Sequence, residues 1–210
     1  MIGSFLGYGA VSAVLGAVLY ANMPTKYTIG HVIPTVSYLS KAKLIKLDSE
    51  KDALTGKTIE AKQIFDQGPV LVMAVRRPGC TFCRKEASEL TQIKDKLDAA
   101  GVRLMGVVHE YQGVDQFKPF LKGDVYYDTE KTFYGPEQRW LPFWIGFLRV
   151  NTYLNGFNSR HVPGNYEGEG RLLGGVYLIN KDQMLFSHLE KDWGDAVDPN
   201  DVLEAIKKIH

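Results

Sequence analysis

The sequence predicts an α/β chain built on a strand–helix–strand crossover, followed by a β-hairpin and a terminal helix. Two observations carry this. Val70–Val75 and Val102–Val108 are short, continuous apolar runs of the kind that form strands buried on both faces, and a helical pattern lies between them. Further on, Gly174-Gly175 introduces a second pair of strand-like runs joined at Lys181-Asp182, with an amphipathic segment closing the chain.

The chain opens on residues 1–22, an apolar segment without a charged side chain, rich in Gly, Ala, Val, Leu and Tyr. About 20 apolar residues suffice to cross a bilayer as a helix. A membrane anchor and a cleaved secretory signal ending near Ala21-Asn22-Met23 are both expectations for it, and a hydrophobic helix packed on its own domain is the third. A basic leading region is absent, and Tyr20 interrupts the small-residue cleavage pattern, so peripheral or anchored attachment is the reading preferred.

Residues 23–66 read as an N-terminal extension and linker. A helix is expected around Val32–Lys46, then a short strand at Leu44–Asp48 able to pair with a sheet edge. A short helix over Thr58–Gln67 is stopped by Gly68-Pro69. Residues 67–210 form the main domain. Val70–Val75 is its first strand, ended by Arg76-Arg77-Pro78-Gly79, and a helix over Thr81–Ala99 turns Ala87, Leu90, Ile93 and Leu97 inward until Gly101 closes it. Val102–Val108 is the parallel return, since a crossover connects parallel strands. A helix at Gly113–Lys122, a strand at Asp124–Tyr127 and a helical turn at Glu130–Tyr134 follow.

An insertion of about 135–174 then precedes the hairpin Val176–Ile179 with Met184–Leu189, and Asn200–Ile209 ends the chain as a helix with Val202, Leu203, Ile206 and Ile209 inward. Crossover, hairpin and terminal helix in this order are the thioredoxin-type architecture. The aromatic cluster Phe133, Tyr134, Trp140, Phe143, Trp144 and Phe147 reads first as core packing, with an apolar lid or docking patch as the alternative.

Composition narrows function mainly by exclusion. With 25 basic and 24 acidic side chains there is no electrostatic reason to bind nucleic acid. The two cysteines, Cys80 and Cys83, sit together, so a bridge between them would close a tiny loop and add little stability; the pair suits redox cycling. Their place after a buried strand and at a helix start favours the thiolate, because unpaired backbone N–H groups and the helix dipole face them. Arg76, Arg77, Arg84 and Lys85 add positive charge, and Arg77 and Arg84 are the thiolate-stabilising candidates. A zinc site would need two further ligands, and no second Cys-x-x-Cys or close His pair supplies them, so no metal is expected. Inert packing of two small apolar thiols is the bland alternative. Glu86, one turn beyond Cys83, reads either as a proton relay or as a solvated helix carboxylate. Glu167-Gly168-Glu169-Gly170 is not a nucleotide loop: Leu173 stands at its sixth position and the glutamates repel phosphate.

The run Arg76-Arg77-Pro78-Gly79-Cys80-Thr81-Phe82-Cys83-Arg84-Lys85-Glu86-Ala87 resembles the peroxiredoxin-like 2 family. The resemblance continues through Phe133-Tyr134-Gly135-Pro136, Glu167-Gly168-Glu169-Gly170 and Leu173-Gly174-Gly175-Val176, and it covers nearly the whole chain. It implies a thioredoxin-like fold and a redox-regulatory antioxidant role through Cys80 and Cys83, by peroxide scavenging or disulfide exchange. It also implies an external thioredoxin- or glutathione-type reductant, NADPH-linked, with no bound cofactor. Two alternatives stand beside it: an endoperoxide reductase like the prostaglandin F synthase of a sister branch, and a non-catalytic thiol switch.

Peroxiredoxins present Thr-x-x-Cys and an arginine from a later strand. This chain has Cys80 in the threonine place, and Gly174-Gly175 with Arg171 upstream where that arginine or a thioredoxin cis-proline would fall. Helix-start geometry favours Cys80 as the attacking thiol, and alignment with Thr-x-x-Cys favours Cys83. A cytoplasmic location is expected, with membrane association or secretion through the first segment as the variants.

Overall fold

The computed structural model describes residues 2–209, with side chains from residue 9 onward. Helix α1 (Ile2–Ala21) leads through the one-turn helix α2 (Val36–Leu39) to strand β1 (Lys43–Lys46). The short helix α3 (Asp52–Thr55), strand β2 (Thr58–Glu60) and helix α4 (Ala61–Phe65) bring the chain to β3 (Val70–Val75). Helices α5 (Thr81–Gln92) and α6 (Lys94–Ala99) cross over to β4 (Arg103–Val108), and α7 (Val114–Phe117) leads to β5 (Asp124–Asp128). The insertion carries α8 (Phe143–Leu148) and α9 (Val150–Ser159); β6 (Gly175–Asn180), β7 (Gln183–Leu189) and α10 (Pro199–Ile206) complete the chain.

All seven strands join one sheet in the order β2-β1-β5-β4-β3-β6-β7. β3, β4 and β5 run parallel, and β6 and β7 add antiparallel beside β3. Every residue of β3 is buried, as its unbroken apolar run requires. Alternate side chains serve two cores. Leu71, Met73 and Val75 pack with Ala87, Leu90, Leu97, Val202 and Ala205 beneath α5 and α10, while Val70, Val72 and Ala74 pack with Leu39, Ile64, Phe65 and Tyr134 on the other face. The thioredoxin-like α/β fold expected from sequence is the fold observed.

Local differences have local causes. The helix expected over Thr81–Ala99 breaks at Ile93, whose backbone (φ −95°, ψ 5°) leaves helical geometry, and both halves keep the inward face. The helix expected around Val32–Lys46 is a single turn capped by the Thr35 side chain, because the chain must extend at Lys43 to pair β1 with β5. Thr58–Glu60 pairs with β1 as a strand, so only Ala61–Phe65 of the expected Thr58–Gln67 helix forms. Residues 23–66 thus supply the two strands that extend the sheet beyond β5.

The aromatic cluster divides. Phe133 and Tyr134 are fully buried, whereas Phe143, Trp144 and Phe147 are about half exposed on α8. α1 packs its C-terminal end on α8, with the Tyr20 and Trp144 rings stacked at 6.0 Å. Among the described residues no helix is long and apolar enough to cross a membrane.

Candidate redox site

Cys80 is the N-cap of α5, and Cys83 lies in its first turn. β3 delivers the chain to this point, and Cys80 N–H bonds Arg77 O at 3.1 Å to close the intervening turn. Both cysteines are free thiols and both are buried, at 3% and 4% exposure. Their environments differ. A hydrogen bond from the Cys83 side chain, the Cys83 backbone N–H and the charge of Arg76 together hold the Cys80 thiol well below its ordinary pKa, against the opposing effect of burial. The same pairing and its own burial push Cys83 well above it. Ionisation is therefore favoured at Cys80 and disfavoured at Cys83.

The guanidinium that reaches sulfur is that of Arg76, whose Nη2 donates to Cys80 Sγ at 3.1 Å. Its Nε bonds Glu190 Oε1 at 3.1 Å and its Nη1 bonds Gly170 O at 2.9 Å, so each nitrogen is engaged. Burial works against its charge, but Cys80 and Glu190 raise its pKa and keep it protonated. Glu190 is anchored in turn by the N–H of Gly174 at 3.0 Å. Burial pushes its carboxyl up, and Arg76 opposes that. His109, at the end of β4, lies with Nε2 2.7 Å from Arg76 O and fixes the backbone from the other side.

Arg77 and Arg84, the candidates from sequence, turn elsewhere. Arg77 Nη2 donates to Asn165 O at 3.0 Å. Arg84 donates to Pro78 O and Pro163 O, each at 3.0 Å. With Arg76 on Gly170, three arginines bind carbonyls of the insertion loop and lay it over the cysteine turn. Arg77 adds a smaller favourable charge toward Cys80, and Arg84 meets the sulfurs only through space. Arg171 is paired with Glu169 at 2.6 Å at the rim. Arg76 was visible in the sequence motif. Its distinguishing signal is the spacing to Cys80 across a turn that folds back, and its full meaning needed Glu190, which is remote in sequence.

Glu86 is partly exposed and accepts from Val197 N–H at 3.0 Å, and burial pushes its carboxyl up to about 7. No cluster of metal-ligating side chains occurs among the described residues. A cleft of about 480 Å³ opens on Cys80, with Phe82, Phe143, Phe147 and Trp193 as its apolar walls and Arg76, Arg77 and Arg171 among its polar ones. Cys83 does not line it.

Sequence relatives span nearly the whole chain. The chain is 40% identical to peroxiredoxin-like 2A of Mus musculus across 97% of its own length and 93% of that protein. It is 38% identical to the Homo sapiens protein of the same name, across 97% of this chain and 89% of that one. The chain belongs to the peroxiredoxin-like 2A family. A family model described as AhpC/TSA antioxidant enzyme matches residues 89–192, just under half of the chain. That match begins beyond Cys83. Among solved structures, peroxidoxin BcpB from Mycobacterium tuberculosis superposes with a TM-score of 0.50 at 12% identity, covering 86% of this chain and 99% of that one. A peroxiredoxin-like protein from Aquifex aeolicus gives 0.50 at 13%, covering 87% and 91%. At such identities the likeness is one of fold.

Proposed function

We propose that this peroxiredoxin-like 2A family member is a thiol-dependent reductase of organic peroxides, with Cys80 as nucleophile and Cys83 as resolving thiol. The observation that carries the reading is the Arg76 Nη2 to Cys80 Sγ contact at 3.1 Å on the one cysteine that lines the cleft. A thiolate held by a guanidinium attacks the distal peroxide oxygen, and the O–O bond breaks. Cys80 becomes a sulfenic acid, and the departing alkoxide takes a proton to leave as an alcohol. Cys83, in the first turn of the helix that Cys80 caps, attacks that sulfenic sulfur to form the disulfide and release water. An external reductant, one thioredoxin-type dithiol or two glutathione-type monothiols, is oxidised to its disulfide as both cysteines return to thiols, and NADPH recharges it.

The apolar walls favour an organic peroxide over hydrogen peroxide, and they also suit the endoperoxide of the prostaglandin alternative. The test is turnover on cumene hydroperoxide, hydrogen peroxide, prostaglandin H₂ and a protein disulfide, coupled to thioredoxin, thioredoxin reductase and NADPH. Cumene hydroperoxide is expected to turn over fastest. Cys83→Ser is expected to accumulate a dimedone-reactive sulfenic acid on Cys80 in a single turnover, and Cys80→Ser none. A sulfenic acid on Cys83 in Cys80→Ser would reverse the assignment, and stoichiometric oxidation without recycling would favour the thiol switch.

A further inference from the structure

Helices α1, α8 and α9 share a surface that extends well beyond the Cys80 cleft. Residues 1–25 contain no charged side chain, and residues 140–159 contain one, Arg149. Arg149 is buried, and its guanidinium ties the three helices together: Nε donates to Ala21 O at 2.8 Å and Nη1 pairs with Asp192. Asn22 completes the joint, donating to Leu148 O at 2.8 Å and accepting from Val150 N–H at 3.0 Å. The end of α1 is thus fixed at the corner between α8 and α9.

Outward from that corner the exposed side chains are uncharged and mostly apolar, with Asn151 and Asn158 among them. Val14 and Leu19 of α1 and Leu154 and Phe157 of α9 are each about 60–70% exposed, and Phe143, Trp144 and Phe147 continue the surface along α8. Exposed apolar surface of this extent marks a contact with something. The margin indicates what. Beyond α1, the Lys26 ammonium lies 4.7 Å from the Tyr27 ring, and at the end of α9 the Arg160 guanidinium lies 4.2 Å from the Phe157 ring. A cation stacked on an aromatic beyond α1 and another at the end of α9, with Tyr20 and Trp144 on the same three-helix surface, are suited to headgroup depth. Cations at both margins complement the phosphates of anionic phospholipid.

We propose that this α1–α8–α9 face seats on the surface of a bilayer containing anionic phospholipid. The aliphatic and aromatic side chains enter the acyl boundary, and Lys26 and Arg160 meet the phosphates. The seat adjoins the Cys80 cleft, because Phe143 and Phe147 belong to both.

Flotation of the purified full chain with phosphatidylcholine vesicles, with and without phosphatidylglycerol, tests the seat apart from any redox activity. Wild type and Cys80→Ser are both expected to float, more strongly with phosphatidylglycerol. Leu154→Lys combined with Phe157→Lys is expected to lower partitioning about tenfold or more, and these exposed positions lie outside the cleft. Lys26→Glu with Arg160→Glu should remove the preference for phosphatidylglycerol. Brominated lipids should quench wild-type fluorescence and lose most of that effect in Trp144→Tyr, a readout independent of variant stability. Wild type left at the bottom of the gradient with both vesicles would overturn the proposal. So would a dimer dissociated by the Leu154 and Phe157 changes without lipid partitioning, which would assign the face to a second copy.

Discussion

Arg76 Nη2 lies 3.1 Å from Cys80 Sγ, although the two residues are only four apart and sit on opposite sides of a strand-to-helix turn. The turn folds back so that the last strand-side arginine overlies the helix N-cap. Charge that peroxiredoxins bring from a later strand here comes from the end of β3. The residue just past the later strand β7, Glu190, supplies the balancing carboxylate instead.

Replacing Arg76 should therefore be felt first at sulfur. A hydrogen bond to a charged group contributes about 1.5–3 kcal/mol, so Arg76→Met is expected to slow iodoacetamide alkylation of Cys80 at neutral pH by about tenfold or more. Arg76→Lys should recover part of the rate by keeping the charge. Arg84→Lys, which keeps a charge but gives up bonds to the Pro78 and Pro163 carbonyls, should change it less than Arg76→Met. A rate profile unaffected by Arg76→Met would show that Cys83 alone sets the reactivity.

Glu190 presents a stability prediction of the opposite kind. Both it and Arg76 are buried, and removing one member of such a pair strands the other charge. Glu190→Ala should cost about 3–5 kcal/mol in urea unfolding. The double variant Arg76→Met with Glu190→Leu should recover much of that loss while remaining slow at sulfur. Additive losses would show that the pair acts through separate neighbours.

The fold was legible where one signal was enough. The apolar runs of β3 and β4 and the Cys-x-x-Cys between them announce a crossover with thiols at its helix start. Leu71 and Val72 could only be buried on both sides. The insertion was less legible, because Phe143 and Phe147 look like core in sequence and are held outward by α8. The site was legible as to its sulfurs and not as to its charges. Arg76, Arg77 and Arg84 are indistinguishable by type and proximity. What separates them is which carbonyls the insertion loop presents, and where Glu190 arrives from β7.

Gly174 is a sharper case of a residue whose reason is tertiary. Its backbone runs against Ala74 O so closely that a Cβ would overlap that carbonyl, and its own N–H and C=O are spent on Glu190 and Arg139. Gly174→Ala should force β6 away from β3 and disturb Glu190 together with it. The expected result is a drop in melting temperature and slower Cys80 alkylation in the same variant; stability lost without any change at sulfur would separate the two.

Glu86 yields a pH dependence whose sign can be fixed. Burial pushes its carboxyl up to about 7, above the value near 4.3 of an unfolded glutamate. Between those values the folded chain holds a proton the unfolded chain has released, so this group's contribution to stability falls as pH rises through that window. Above about pH 7 the penalty is complete, on the order of 1–3 kcal/mol. Glu86→Gln removes the ionisation while its amide oxygen can still accept from Val197 N–H. The variant should therefore melt higher than wild type at pH 8, with the gap closing as pH falls below about 5. Equal melting temperatures at pH 8 would place the carboxylate in contact with water, and a variant less stable at every pH would show that the ionised carboxylate makes a contact the amide cannot replace.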